Sequence, residues 1–232
     1  VGALTLLLGA AAVRPAPEIV VGRFVTRLSD REAGQKVNAL RAAERLNGIV
    51  LAPGQTLSFN QTVGSWSRDQ GYRRAPVSFS GQMVRAWGGG VCQTSTALFN
   101  ASLAAGLDIV ERHAHHYAPT YVAPGRDAAV AFPNIDLQVR NAGSSPLRLQ
   151  VEAQGDRLVV TWWGRVAGPP VALSTRMVSG RAPGTLRLGS GRMRVTNPGK
   201  PGFEVVTQRR VGNVVESWHD NYAVMNRVEL GQ

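Results

Sequence analysis

One cysteine in 232 residues rules out an intrachain disulfide and leaves no paired thiols for a structural zinc site, which wants four ligands. No metal and no cofactor is expected. Lysine is nearly absent as well: Lys36 and Lys200 are the two in the chain, so the net charge of +11 is carried almost wholly by arginine. Those arginines are scattered, with pairs only at Arg73-Arg74 and Arg209-Arg210, and no basic motif interleaved with aromatics accompanies them. Nucleic acid is therefore not the expected partner; an anionic envelope polymer or a membrane surface attracts such charge equally well. No internal repeat or low-complexity segment is present. The longest apolar run, residues 1–13, is too short to span a bilayer unaided but fits the core of a secretory signal or the outer half of an anchor helix. Export, with possible membrane contact through this segment, is the expectation for residues 1–17.

The lone cysteine stands in an informative place. Gly88-Gly89-Gly90-Val91-Cys92-Gln93-Thr94-Ser95-Thr96 runs into a stretch with apolar residues at helical spacing, and Gly106 supplies a stop signal. Cys92 is thus expected near a helix N-terminus, where free N–H groups and the macrodipole favour the thiolate. Gly89 and Gly90 would let backbone N–H groups approach a substrate carbonyl and stabilise an oxyanion. Gln93 and Ser95, in the first turn, are further candidates for that contact; helix capping is the alternative for Ser95.

Three of the four histidines follow in Glu111-Arg112-His113-Ala114-His115-His116-Tyr117. A cysteine paired with a histidine that a third group orients is the arrangement used for acyl transfer through a thioester. Asp127 is the nearest acidic candidate for the third role. On an extended strand His113 and His115 share a face and His116 points away, so at most two of them can meet Cys92. A buried, inert cysteine with histidines bonded to backbone carbonyls is the competing reading.

The remaining pattern is α+β with an antiparallel sheet. A strand is expected around Ile19–Thr26, then a helix capped by Ser29 or Asp30 with Ala33, Val37, Leu40 and Leu46 on one face and Asn47-Gly48 at its end. Strands are expected at 56–59, 128–132, 137–141, 147–153 and 158–163, the last two joined at Gln154-Gly155-Asp156-Arg157. Trp66 and Tyr72 flank a loop that could line a groove or pack in the core. Gly168-Pro169-Pro170 reads as a linker. Residues 18–167 then form the main domain, and 171–232 a small β-rich appendage with a turn at Asn197–Gly202; Trp218–Tyr222 at its end suggests either recognition or a packed hairpin end.

The chain resembles the VanW-domain family. The resemblance is carried by Asn38, Leu46-Asn47-Gly48, Pro53–Asn60, Gly71-Tyr72, the Gly88–Ala101 run, Glu111–His115, Tyr121–Ala128 and Asp136–Asn141. It implies a cell-envelope role, in some members linked to L,D-transpeptidation of peptidoglycan stem peptides. It further implies Cys92 as nucleophile, His115 as base, and Arg112 as a partner for a stem carboxylate. At the position after His115, where the family usually has serine, this chain has His116. A hydrolytic peptidase or amidase, or a noncatalytic peptidoglycan-binding module, would fit the same residues.

Overall fold

A single helix, buried on every side, organises the core. The computed structural model describes residues 16–79 and 82–231. In chain order the elements are β1 (Ile19–Arg27), α1 (Ala33–Leu46), β2 (Val50–Leu51), β3 (Thr56–Ser58), α2 (Phe59–Val63), β4 (Arg74–Phe79), β5 (Gln82–Trp87), α3 (Val91–Ala104) and β6 (Asp108–Glu111). They continue with β7 (Gln138–Arg140), β8 (Leu147–Gln154), β9 (Arg157–Gly164), β10 (Val171–Arg181), β11 (Thr185–Leu188), β12 (Met193–Asn197), β13 (Gly202–Val211), β14 (Val214–Tyr222) and β15 (Arg227–Gly231). The fold is mixed α+β, with few helices and mostly antiparallel sheets; the pairing of β11 with β15 is parallel.

The main sheet has the order β1-β9-β8-β2, and α1 and α3 pack against it. In β9 the run Leu158–Trp162 is buried residue after residue, as expected of a strand covered on both faces. The Trp162 indole N–H reaches Ser102 Oγ on α3 at 3.0 Å, so its polar atom is satisfied inside the core. A smaller sheet, β3-β7-β6, closes one side, and the β4-β5 hairpin lies beside α1. The sheet β10-β13-β14 packs Trp218 edge-on against Phe99 of α3, with ring centroids 6.3 Å apart. A second, small cluster of Ala118, Val205 and Tyr222 joins it to the loop after β6.

Helix α3 shows why a helix need not be amphipathic. Its polar side chains bond sideways to neighbouring backbone: Thr94 Oγ1 to the Ala39 carbonyl at 2.9 Å, Ser95 Oγ to the Ala128 carbonyl at 2.7 Å, and Asn100 Nδ2 to the Arg126 carbonyl at 2.7 Å. The helix ends in a left-handed Gly106 (φ 72°), with Gly106 N–H bonded to the Leu103 carbonyl and Leu107 N–H to that of Ser102. This Schellman geometry realises the stop expected at Gly106.

Four local expectations need correction. The N-cap of α1 is Glu32, whose N–H donates to Gln35 Oε1 at 3.2 Å; Ser29 and Asp30 lie outside the helix. Its buried face is Asn38, Ala39, Ala42, Ala43 and Leu46, which leaves Val37 and Leu40 half-buried. The segment 128–132 forms no strand; it makes only the isolated bridges His113–Ala129 and Ala131–Ile135. Helix α3 has already taken its backbone groups, since Ala128 N–H donates to Thr96 Oγ1 and Ala128 O accepts from Ser95. Likewise β3 stops at Ser58, whose Oγ accepts from Gln61 N–H and starts α2. Trp66 and Tyr72 both pack on the core, Tyr72 buried and Trp66 partly so. The apolar run at 1–13 lies outside the described residues, and among those described no helix is long and apolar enough to cross a membrane.

Strand β1 crosses α3 at Gly22. A Cβ there would sit 2.4 Å from the Ala101 carbonyl oxygen and 2.6 Å from Ala105 Cβ. Gly22→Ala is expected to wedge the strand off the helix and to lower stability by about 1–3 kcal/mol, read from the midpoint of urea unfolding.

Candidate active site

The turn before α3 is fixed from below. Asn38, buried on α1, donates from Nδ2 to the carbonyls of Gly89 (2.8 Å) and Arg73 (2.9 Å), and its Oδ1 accepts from Arg73 N–H at 2.8 Å. Gly89 and Gly90 are themselves pressed against backbone. A Cβ on Gly89 would lie 2.6 Å from the Ala75 carbonyl oxygen, and one on Gly90 (φ +107°) 2.4 Å from that of Gln35. The glycines thus serve close packing of this turn between α1 and β4.

Cys92 is the second residue of α3. From Val91 to Leu103 every residue is buried except Cys92, which retains partial exposure. Its Sγ lies 3.4 Å from the Val130 carbonyl oxygen and in hydrogen-bonding contact with the His115 imidazole. The other ring nitrogen, Nδ1, is 2.5 Å from Asp127 Oδ2, the same oxygen that accepts the His115 backbone N–H at 2.8 Å. Asp127 is fully buried. Its Oδ1 accepts from the Tyr222 hydroxyl and from Arg112 at 3.2 Å. Arg112, also buried, donates to the Asp127 carbonyl at 2.7 Å and to Asp220 Oδ1 at 2.6 Å.

These contacts polarise the pair. Burial pushes the Cys92 thiol up, but the hydrogen bond and charge of His115 outweigh it and the net shift is downward. Burial disfavours protonated His115, yet its bonds to Asp127 and Cys92 raise it from the usual range to about 10. Burial likewise opposes the Asp127 charge, and the His115 and Tyr222 hydrogen bonds with Arg112 hold it below the usual carboxylate value. The arrangement sets an imidazole between a thiol whose pKa is lowered and the carboxylate that orients it.

Of the residues singled out in the sequence, the fold brings together Cys92, His115, Asp127 and Arg112. It sends others elsewhere. Gln93 points into the sheet, bonding Thr26 Oγ1 (2.9 Å) and the Arg27 carbonyl (2.6 Å), and Ser95 is buried beneath the helix on Ala128. His113 turns outward to Glu111 at 2.9 Å because the chain at 113–115 is not a regular strand, so the period-two argument fails there. Arg112 is committed to two internal carboxylates and is not free for a substrate. Asn38, Asp220 and Tyr222 were not anticipated as parts of the site. The available signals were an asparagine on an otherwise apolar helix face and the alternation along β14, which places Asp220 and Tyr222 on its buried side. Among the described residues no group of three or more His, Cys, Asp or Glu side chains is arranged to hold a metal ion.

Iodoacetamide should alkylate Cys92 with a pH profile displaced below that of an ordinary thiol, and His115→Ala should return it toward the ordinary value near 8.5, as read by intact mass. Stability gives a second test in the Cys92→Ala background, where the opposing titration of the thiol is gone. His115 then still binds its proton more tightly folded than unfolded, so its stabilisation is complete below about 6.5 and drains as pH rises beyond it. That alkaline loss in denaturation midpoint should vanish in Cys92→Ala/His115→Gln.

Residues 34–163 match the model of the family described as VanW like protein. The chain is 36% identical over 141 residues to the uncharacterized protein YoaR of Bacillus subtilis (strain 168), covering 61% of this chain and 46% of that one. It is 30% identical over 128 residues to the vancomycin B-type resistance protein VanW of Enterococcus faecalis (strain ATCC 700802 / V583), covering 53% of this chain and 46% of that one. The chain therefore spans less than half the length of these relatives. No solved structure matches it. Cys92, His115 and Asp127 all lie within the matched segment, which makes up more than half of the sequence: the chain belongs to the VanW-like family.

Proposed function

We propose that this protein is a cysteine acyltransferase of the cell envelope, acting on peptidoglycan stem peptides in the manner of an L,D-transpeptidase. The observation that carries the reading is the partly exposed Cys92 at the start of a buried helix, in contact with an imidazole whose far nitrogen is held by a buried, fully bonded carboxylate. An inert cysteine needs none of this. The envelope substrate is supported by family membership, by the enterococcal relative's name, which ties that protein to vancomycin resistance, and by a net charge of +11 suited to anionic polymers. Export, guided by the apolar residues 1–13, belongs to the same reading.

The Cys92 thiolate attacks the donor carbonyl carbon, forming the C–S bond and moving an electron pair onto oxygen. Val91 and Gln93 N–H groups are occupied by the Gly88 and Gly90 carbonyls, so the Cys92 N–H is the amide of the first turn available to that oxyanion. Collapse breaks the C–N bond; the leaving amine takes its proton from the His115 imidazolium, and a thioester remains. His115, now neutral, accepts the proton of an incoming amine as that amine attacks the thioester and releases the thiolate. Asp127 keeps the ring in register through both halves. Residues 171–232 form the β-rich appendage of this proposal, and through Asp220 and Tyr222 they brace the catalytic carboxylate.

Incubation with purified muropeptides tests the reaction. Cross-linked dimers are expected by mass spectrometry, and none with Cys92→Ala. Shortened stems without dimers would instead mean that water resolves the thioester. Unchanged stems, with binding to sacculi that Cys92→Ala leaves intact, would move the function to a noncatalytic binding module.

A further inference from the structure

Since Arg112 is consumed internally, the carboxylate partner implied for it must be sought elsewhere. Arg31, in the turn between β1 and α1, places its guanidinium 4.7 Å from the Tyr121 ring centroid, and that ring meets His115 edge-on at 6.5 Å. Arg31 is therefore one aromatic ring away from the catalytic imidazole. It is partly buried, yet among the described residues its side chain makes no hydrogen bond and no ion pair; Asp30 beside it is exposed and forms no ion pair with it. Five N–H donors in a fixed fork without an acceptor are unusual for a guanidinium shielded from water.

A second cation lies within its electrostatic reach. Lys200, on the turn between β12 and β13, is pinned by its backbone, its N–H bonding the Met225 carbonyl at 2.8 Å and its carbonyl accepting from Met225 N–H at 3.0 Å. Its ammonium is also partly buried and has no carboxylate partner among the described residues. Burial works against that charge, and the Arg31 charge reaches far enough to repel it further. Two like charges held partly out of water, with the exposed Asp30 acting on Arg31 only at a distance, repel each other in the free protein, and a bound anion reverses the sign of the interaction.

We propose that Arg31 and Lys200 form an anion subsite beside the Cys92–His115 pair that takes the terminal carboxylate of the acyl donor. The subsite restricts the donor to peptides whose scissile bond lies close to a free C-terminus. It deepens the acyl-transfer reading and rests on it for the donor's orientation, but carboxylate binding itself does not require catalysis. The fork of Arg31 supplies paired N–H donors and the Tyr121 face holds it flat; Lys200 adds a point charge.

The test uses the Cys92→Ala protein, which binds without turnover. Calorimetric titration compares a synthetic stem tetrapeptide ending in a free carboxylate with its C-terminal amide, and then with inorganic phosphate. The free acid is expected to bind about tenfold or more tightly than the amide. Arg31→Gln should erase that preference, Lys200→Gln should reduce it, and Arg31→Lys should restore part of it, each with an unchanged thermal melt. Equal affinity for acid and amide, a preference that survives Arg31→Gln, or no binding of either peptide overturns the subsite. Inorganic phosphate outcompeting the free acid overturns the carboxylate assignment in favour of a phosphate. Failure here is separable from failure of the enzyme reading: wild-type protein that cross-links acid and amide donors equally well keeps the acyl transfer and loses the subsite.

Discussion

A carboxylate withdrawn entirely from water carries a desolvation cost that only several donors can offset, and Asp127 meets this condition with groups drawn from two distant parts of the chain. His115 supplies its ring and its backbone N–H, Arg112 supplies a guanidinium, and Tyr222 supplies a hydroxyl from the far end of the sequence. Each donor is fixed in turn. Arg112 is shared with Asp220 on the same strand as Tyr222, and the Tyr222 oxygen also accepts from Gly125 N–H at 2.7 Å. Removing any one donor leaves a buried charge short of partners, so the network holds the imidazole at one angle to the thiol and joins β14 to the helix α3 side of the molecule.

Helix α3 is the other fixed point. Its burial forces its polar side chains to find partners, and those of Ser95 and Asn100 are Ala128 and Arg126, the residues flanking Asp127. Cys92 keeps partial exposure although Gly88, Gly89 and Val91 beside it are buried, the turn being wedged between α1 and β4 with Asn38 and the Gln35 backbone against it. The same packing that stabilises the core thus decides which residue of the helix meets solvent.

Much of the scaffold was legible in sequence. The β8-β9 hairpin followed from alternation around Gly155, β1 from its β-branched run, and the end of α3 from Gly106. Expectations failed where side chains replaced backbone partners, as at Ala128, or where one residue changed the cap, as at Glu32. They failed too where a period was assumed for an irregular chain, as with His113.

By itself the sequence determined the chemistry available: one thiol before a helix-forming run, a histidine cluster, an aspartate nearby, and a basic chain without paired cysteines. Local signals carry that information because turns, caps and periodicity act over a few residues. Which histidine faces Cys92, what anchors Asp127, and which arginines stay unpartnered were decided only by the tertiary structure. Those outcomes depend on contacts such as Tyr222 with Asp127 and Arg112 with Asp220, made across about a hundred residues, and no local spacing encodes them.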